Sequence, residues 1–198
     1  MSRRPKCWLG VGVTALALVA CGNGEGVPDS TVQVVGVRSE FRTQGGADVA
    51  CNTVTRPDGT VSTHTGLAVY FTSSGAVKAA TVALRGQPTS QYDAFYIQTA
   101  APGQLRVLPD STYRLLLSAN STSAVYLSRP SRVQMLAVRP PSQVVKMKVV
   151  RATNRQEYSF SPQVTVNSAR TSGSGRSTLA LPVYDTCTVL STDASDSL

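Results

Sequence analysis

The sequence predicts an all-β protein, and three features predict it. From Thr31 onward apolar and polar residues alternate at period two, and no stretch sustains a helical period. Charged residues make up only 15% of the chain, against roughly a quarter in an average soluble domain. Ser and Thr take their surface places, and Thr and Val both suit a pleated, half-buried surface. Clusters of Gly, Pro, Asn and Asp punctuate the alternating runs at short intervals, as strand-to-strand turns require.

The first element is a leader rather than a strand. Met1 to Lys6, "MSRRPK", is basic, and residues 7–20 are uncharged. That length matches the apolar region of a secretory signal helix and falls short of the roughly 20 residues of a spanning helix. Leu18-Val19-Ala20-Cys21 resembles the lipobox of bacterial lipoproteins: Leu three before the cysteine, a small residue immediately before it, and Cys as the new first residue. The resemblance implies cleavage after residue 20, a thioether diacylglycerol on Cys21 and acylation (palmitate) of the freed amine. Val19 departs mildly from the pattern, and the other reading is an ordinary cleaved leader that leaves Cys21 free. Lipid on Cys21 implies a place in the cell envelope, on the extracytoplasmic side of a membrane. Gly22 is not the Asp that retains such proteins at the inner membrane in the family's sorting rule, so the outer membrane is implied where the host has two.

Residues 21–30, with "GNGEGVPDS", are turn-formers and read as a flexible tether. Strands are expected at 31–38 and 47–56, then across the turn Arg56-Pro57-Asp58-Gly59 into 60–73 as a hairpin. Further strands are expected at 76–86 and 92–100. In "AVKAATVALRG" the alanines also permit a helix, and Val and Thr favour a strand.

Next comes "LRVLPDSTYRLLLSAN" (105–120), which places Tyr113, Leu115, Leu117 and Ala119 on one strand face. The approach Val107-x-Pro109-x-x-x-Tyr113 resembles the E–F corner of fibronectin type III and related immunoglobulin-like domains. That resemblance implies an antiparallel β-sandwich, immunoglobulin-like or related. It covers about sixteen residues, the only Trp (Trp8) lies in the leader, and the chain runs well past a lone type III module.

After "AVYLSR" (124–129), Pro140-Pro141-Ser142 divides residues 132–153 into two runs expected to pair as a hairpin. Pairing Arg139 with Gln143 sets Ala137 opposite Val145 and Met135 opposite Met147, which makes one face wholly apolar. "QVTVNS" (163–168) and "STLALPVY" (177–184) are late strands. "ARTSGSGRS" between them reads as a flexible linker, and 191–198 as a polar, acidic tail. One sandwich domain over 31–190 is expected. The alternative is a boundary near Arg129, with the last third a separate subdomain.

Cys7 leaves with the leader and Cys21 takes lipid, so Cys51 and Cys187 remain. In an oxidising compartment they form one disulfide most economically, joining an early strand to the last; two buried thiols are the competing reading. Neither lies in a C-x-x-C pair, so no zinc or redox site is expected.

The net charge is +8, and nine basic residues with one acid, Glu157, lie between Arg129 and Arg176. This region either attracts anionic partners or is a solvated face. If it binds, Arg132, Arg139, Lys146, Lys148 and Arg151 are the candidate residues. Only Tyr158 and Phe160 supply aromatic rings there, too few for base stacking, so nucleic acid is the weaker partner.

No catalytic constellation is legible. His64 is the only histidine, which excludes multi-histidine metal sites and the H-E-x-x-H protease pattern. It has no accompanying G-x-S-x-G elbow and reads as a surface or satisfied histidine. The acids are too few and too scattered for a paired-carboxylate glycosidase or a calcium loop. The expectation is a non-enzymatic, membrane-anchored binding or assembly module without cofactor or metal, working on an envelope protein or glycan. The alternative is a binder of DNA, anionic glycans or lipid head groups through 129–176. A hydrolase with an unrecognised site is third.

Overall fold

A computed structural model describes residues 30–87, 94–100, 105–120, 134–138, 145–168 and 171–198. Among these residues there are thirteen strands and no helix. They are Val32–Ser39 (β1), Phe41–Thr43 (β2), Asp48–Thr55 (β3), Val61–Ser62 (β4), His64–Ser73 (β5), Ala79–Gln87 (β6), Ala94–Ala100 (β7), Arg106–Val107 (β8), Tyr113–Asn120 (β9), Gln134–Val138 (β10), Lys146–Asn167 (β11), Ser172–Arg176 (β12) and Leu181–Ser197 (β13). The leader, the lipobox and the 124–129 strand lie outside the described residues.

The protein is all-β, built from two sheets. β1, β5, β9 and β10 form an antiparallel sheet in that order, with β8 beside β9. The second sheet runs β13-β3-β2-β11-β6-β7, with β4 on β3 and β12 on β11. It is mixed rather than antiparallel, because β2 runs parallel to β11 and β3 parallel to β13. Both pairs join strands from opposite parts of the chain, which supplies the long connection that parallel neighbours need.

Period-two alternation in β5 and β9 builds the inner face of the first sheet. Leu67, Val69 and Phe71 lie opposite Leu117, Leu115 and Tyr113, and the Phe71 and Tyr113 rings stack with centroids 5.3 Å apart. Ala80, Val82 and Leu84 of β6 and Val164 and Val166 of β11 meet them from the second sheet, in one buried cluster. Each large aliphatic side chain so buried contributes about 1.5–3 kcal/mol. Val82 faces Val164 and Ala80 faces Val166, so the alanine-rich run is a strand. The Arg56–Gly59 turn also forms as expected. Gly59 takes φ 82°, its amide donates to the Arg56 carbonyl, and Val54 pairs with Ser62 across the hairpin.

Strands β11, β2, β3 and β13 close a circuit, because β13 also pairs with β11. Phe41, Val49, Cys51, Val54, Val150, Cys187 and Val189 of these four strands share a second core. Within it the Cys51–Cys187 disulfide joins β3 to β13, with Cα atoms 5.9 Å apart. The expected pairing of an early strand with the last is therefore present.

Three local expectations are corrected. Residues 132–153 do not form a hairpin: β10 pairs with β9, so Ala137 faces Ser118 and not Val145. β11 instead pairs with β13, β2, β6 and β12, and Val145 and Met147 pack on Ala68 and Leu116, the other face of the first sheet. "SGSGR" is strand β12 rather than a linker. Its glycines let β12 press on β1: a Cβ at Gly173 would stand 1.7 Å from the Ser30 carbonyl oxygen, and one at Gly175 2.2 Å from that of Val32. Finally, 191–197 continue β13 rather than forming a tail. Ser197 pairs with Lys146, Leu198 is buried, and Asp196 bridges to Arg38 at 2.9 Å. The polar side chains follow from the position, since this stretch of β13 keeps most of its side chains in solvent.

Candidate functional site

Where the closed circuit meets the first sheet, a cleft of about 290 Å³ opens. The chain reaches it from four directions. Glu40 and Phe41 come from the β1–β2 junction, Val54 and Arg56 from the end of β3, Ser62 and His64 from the hairpin return, and Val145, Lys146 and Lys148 from the start of β11.

Glu40 is 5% exposed and ties this corner together. Its backbone amide donates to the Gly66 carbonyl at 2.8 Å, and its own carbonyl accepts from the Lys148 amide at 2.7 Å. Its Oε1 accepts from the Gly66 amide, and its Oε2 lies 2.6 Å from Lys148 Nζ. One residue thus links β5 of the first sheet to β11 of the second. The Lys148 ammonium lies 5.6 Å from the Phe41 ring centroid, a cation–π contact, and a fifth of its side chain stays exposed. A carboxylate this deeply buried persists because a charge partner and an amide satisfy both oxygens.

The rest of the lining is cationic or hydrogen-bonding. Lys146 is exposed and its ammonium donates to the Ala194 carbonyl of β13. Arg56 is exposed at the start of the turn. Asp58, two residues on, is held below the usual carboxylate range mainly by hydrogen bonds from the Thr60 hydroxyl and amide, with the Arg56 charge a smaller cause. The Ser62 hydroxyl accepts from the His64 amide at 3.2 Å, which leaves its own proton to donate. The cleft therefore presents three cations, a hydroxyl and an imidazole against one carboxylate that is already bound, over a floor that includes Phe41, Val54 and Val145. The lining is thus net basic and rich in hydrogen-bond donors.

Of the five basic residues singled out from the sequence, Lys146 and Lys148 line the cleft. Arg151 is exposed on β11 opposite Thr188 and is not part of the lining. Arg132, Arg139 and Cys21 lie outside the described residues. Sequence reasoning missed Arg56, Glu40 and the placement of His64. The one local signal was the Arg56–Gly59 turn, which fixes where the hairpin folds back and so where His64 emerges. Among the described residues no group of three or more His, Cys, Asp or Glu side chains gathers in metal-binding geometry.

No protein-family model, curated protein or solved structure matches the chain.

The disulfide is the other site, and it is structural. Cys187 is fully buried and Cys51 2% exposed, and both are surrounded by the apolar side chains of the second core.

Proposed function

We propose that this chain is a lipid-anchored protein of the bacterial cell envelope whose β domain is a non-catalytic binding module. The observation that carries the reading is Leu18-Val19-Ala20-Cys21 at the end of an uncharged run behind a basic start. The Cys51–Cys187 disulfide supports it, since disulfides persist in oxidising compartments outside the cytoplasm. Two or three acyl chains on Cys21 hold the module to a membrane where one would not, and the glycine-rich residues after it give the domain reach. The partner is an envelope protein or glycan. Palmitate labelling tests this: the wild-type chain takes up label in a bacterial host and Cys21→Ala does not. Equal labelling of the two chains contradicts the reading.

The immunoglobulin-like assignment rests on two packed sheets and on the Val107-to-Tyr113 approach. The Leu108 amide there donates to the Thr112 carbonyl at 2.8 Å and Tyr113 stacks on Phe71. The parallel pairs β2–β11 and β3–β13 favour a related sandwich over a type III module.

A second reading, binding of anionic ligands, is favoured by one observation: Lys146 and Lys148 of the basic 129–176 region share a cleft with Arg56. Heparin affinity measured at rising salt tests it, because lost charge contacts lower both the affinity and its salt dependence.

A further inference from the structure

We propose that the cleft among Arg56, Ser62, His64, Lys146 and Lys148 is a binding site for a phosphomonoester. The inference rests on the anionic-ligand reading and narrows it to one chemistry and one place.

Size gives the first reason. A cleft of about 290 Å³ lies at the small end of small-molecule sites. It holds one anionic head group with part of its carrier, and not a length of polymer. Charge gives the second. Among the lining residues Arg56, Lys146 and Lys148 stand against one carboxylate, Glu40, a surplus of two positive charges, while the Asp58 carboxylate outside the lining also acts on Arg56. A phosphomonoester carries nearly two negative charges at pH 7; a carboxylate or sulfate ester carries one.

Donor geometry gives the third. Lys148 uses one of its three donors on Glu40, and Lys146 one on the Ala194 carbonyl. Arg56 offers a planar fork and Ser62 a hydroxyl proton, so several donors remain for three phosphate oxygens. Glu40 is the positioning residue. Anchored by both backbone groups and by the Gly66 amide, it holds Lys148 at the cleft wall and so orients that charge before any ligand arrives. Phe41, Val54 and Val145 supply an apolar surface for a carbon skeleton. Glycerol phosphates of lipid head groups and phosphorylated sugars share this chemistry.

Because His64 is the only histidine, its two ring nitrogens give a single set of imidazole signals in the nitrogen-correlated spectrum of the uniformly labelled mature protein in detergent. Inorganic phosphate, glycerol 1-phosphate and glucose 6-phosphate are titrated in turn at constant ionic strength against chloride. Saturable shifts of the His64 signals with phosphate and with at least one ester are expected, and the tighter ester names the carrier. Arg56→Gln with Lys146→Gln, both exposed positions, weakens that binding about tenfold or more, while Arg106→Gln on β8 leaves it unchanged. Chloride producing the same shift, or the double variant binding phosphate as wild type does, overturns the site. Retained heparin binding without a phosphate shift overturns the cleft assignment alone. Loss of both overturns the anionic-ligand reading with it.

Discussion

At Gly66 an added methyl would stand 2.9 Å from Glu40 Oε1 and 3.2 Å from Val145 Cγ1. The carboxylate there is fixed by the Gly66 amide and by Lys148, so it has little room to retreat. Gly66→Ala is therefore expected to destabilise the fold by about 1–3 kcal/mol, the cost of overpacking, as read by denaturant unfolding. A second residue-scale effect concerns acid. Asp196 is held below the ordinary aspartate value of 3.8, first by the hydrogen bond from Arg38 and then by the Arg38 and Arg42 charges, against a burial cost. A depressed folded value means that the folded state binds fewer protons. The stability from Asp196 is thus present above the ordinary value and lost as pH falls through the folded one. Asp48, raised chiefly by burial, acts oppositely: its contribution is complete below 3.8 and fades as pH rises through its raised value. Asp196→Asn should therefore flatten the fall in thermal midpoint below about pH 4. An unchanged acid limb in the variant would remove Asp196 from this account.

At the scale of elements, strands that form one wall of a regular core were legible, and strands placed by tertiary contact were not. β5, β6 and β9 carry Leu, Val, Phe and Ala at every second position, and the structure buries those residues in one cluster. β2 has three residues, too few to show a period. β12 reads "SGSGR", which looks like a linker because its glycines answer to the neighbouring Ser30–Val32 backbone and not to any local pattern. The 132–153 hairpin failed because an apolar face suits any apolar partner, and Val145 and Met147 found theirs on Ala68 and Leu116. The cleft was half legible for a similar reason. Lys146 and Lys148 announce themselves in a basic run, whereas Arg56 and His64 join them only through the folding back of β3, β4 and β5. Gly173→Ala tests the reading of β12. With the Ser30 carbonyl oxygen 1.7 Å from the new Cβ, the β12–β1 contact must separate, and a loss of at least about 2 kcal/mol is expected. A neutral substitution would mean that β12 does not sit against β1.

For the whole molecule, the disulfide is the constraint the structure shows, and the proposed lipid on Cys21 would set where the protein works. Cys51 and Cys187 close a loop with a sequence separation of 136, for which chain entropy gives about 4–5 kcal/mol of stabilisation. Denaturant unfolding of Cys51→Ala with Cys187→Ala should show a loss approaching that figure. Because both sulfurs are buried, reductant should have little effect on the wild-type protein until it unfolds. β13 then carries three duties together: the disulfide at Cys187, the pairing that closes the strand circuit, and the carbonyl that receives Lys146 at the cleft. The cleft and the circuit therefore stand or fall as one structure, and its presentation to the envelope on a lipid is the central proposal. The intact mass of the mature protein, extracted from membranes, measures that most directly. A chain beginning at Cys21 that carries diacylglycerol and an amide-linked acyl group is expected; a chain cleaved at the same place without lipid would overturn the lipid anchor.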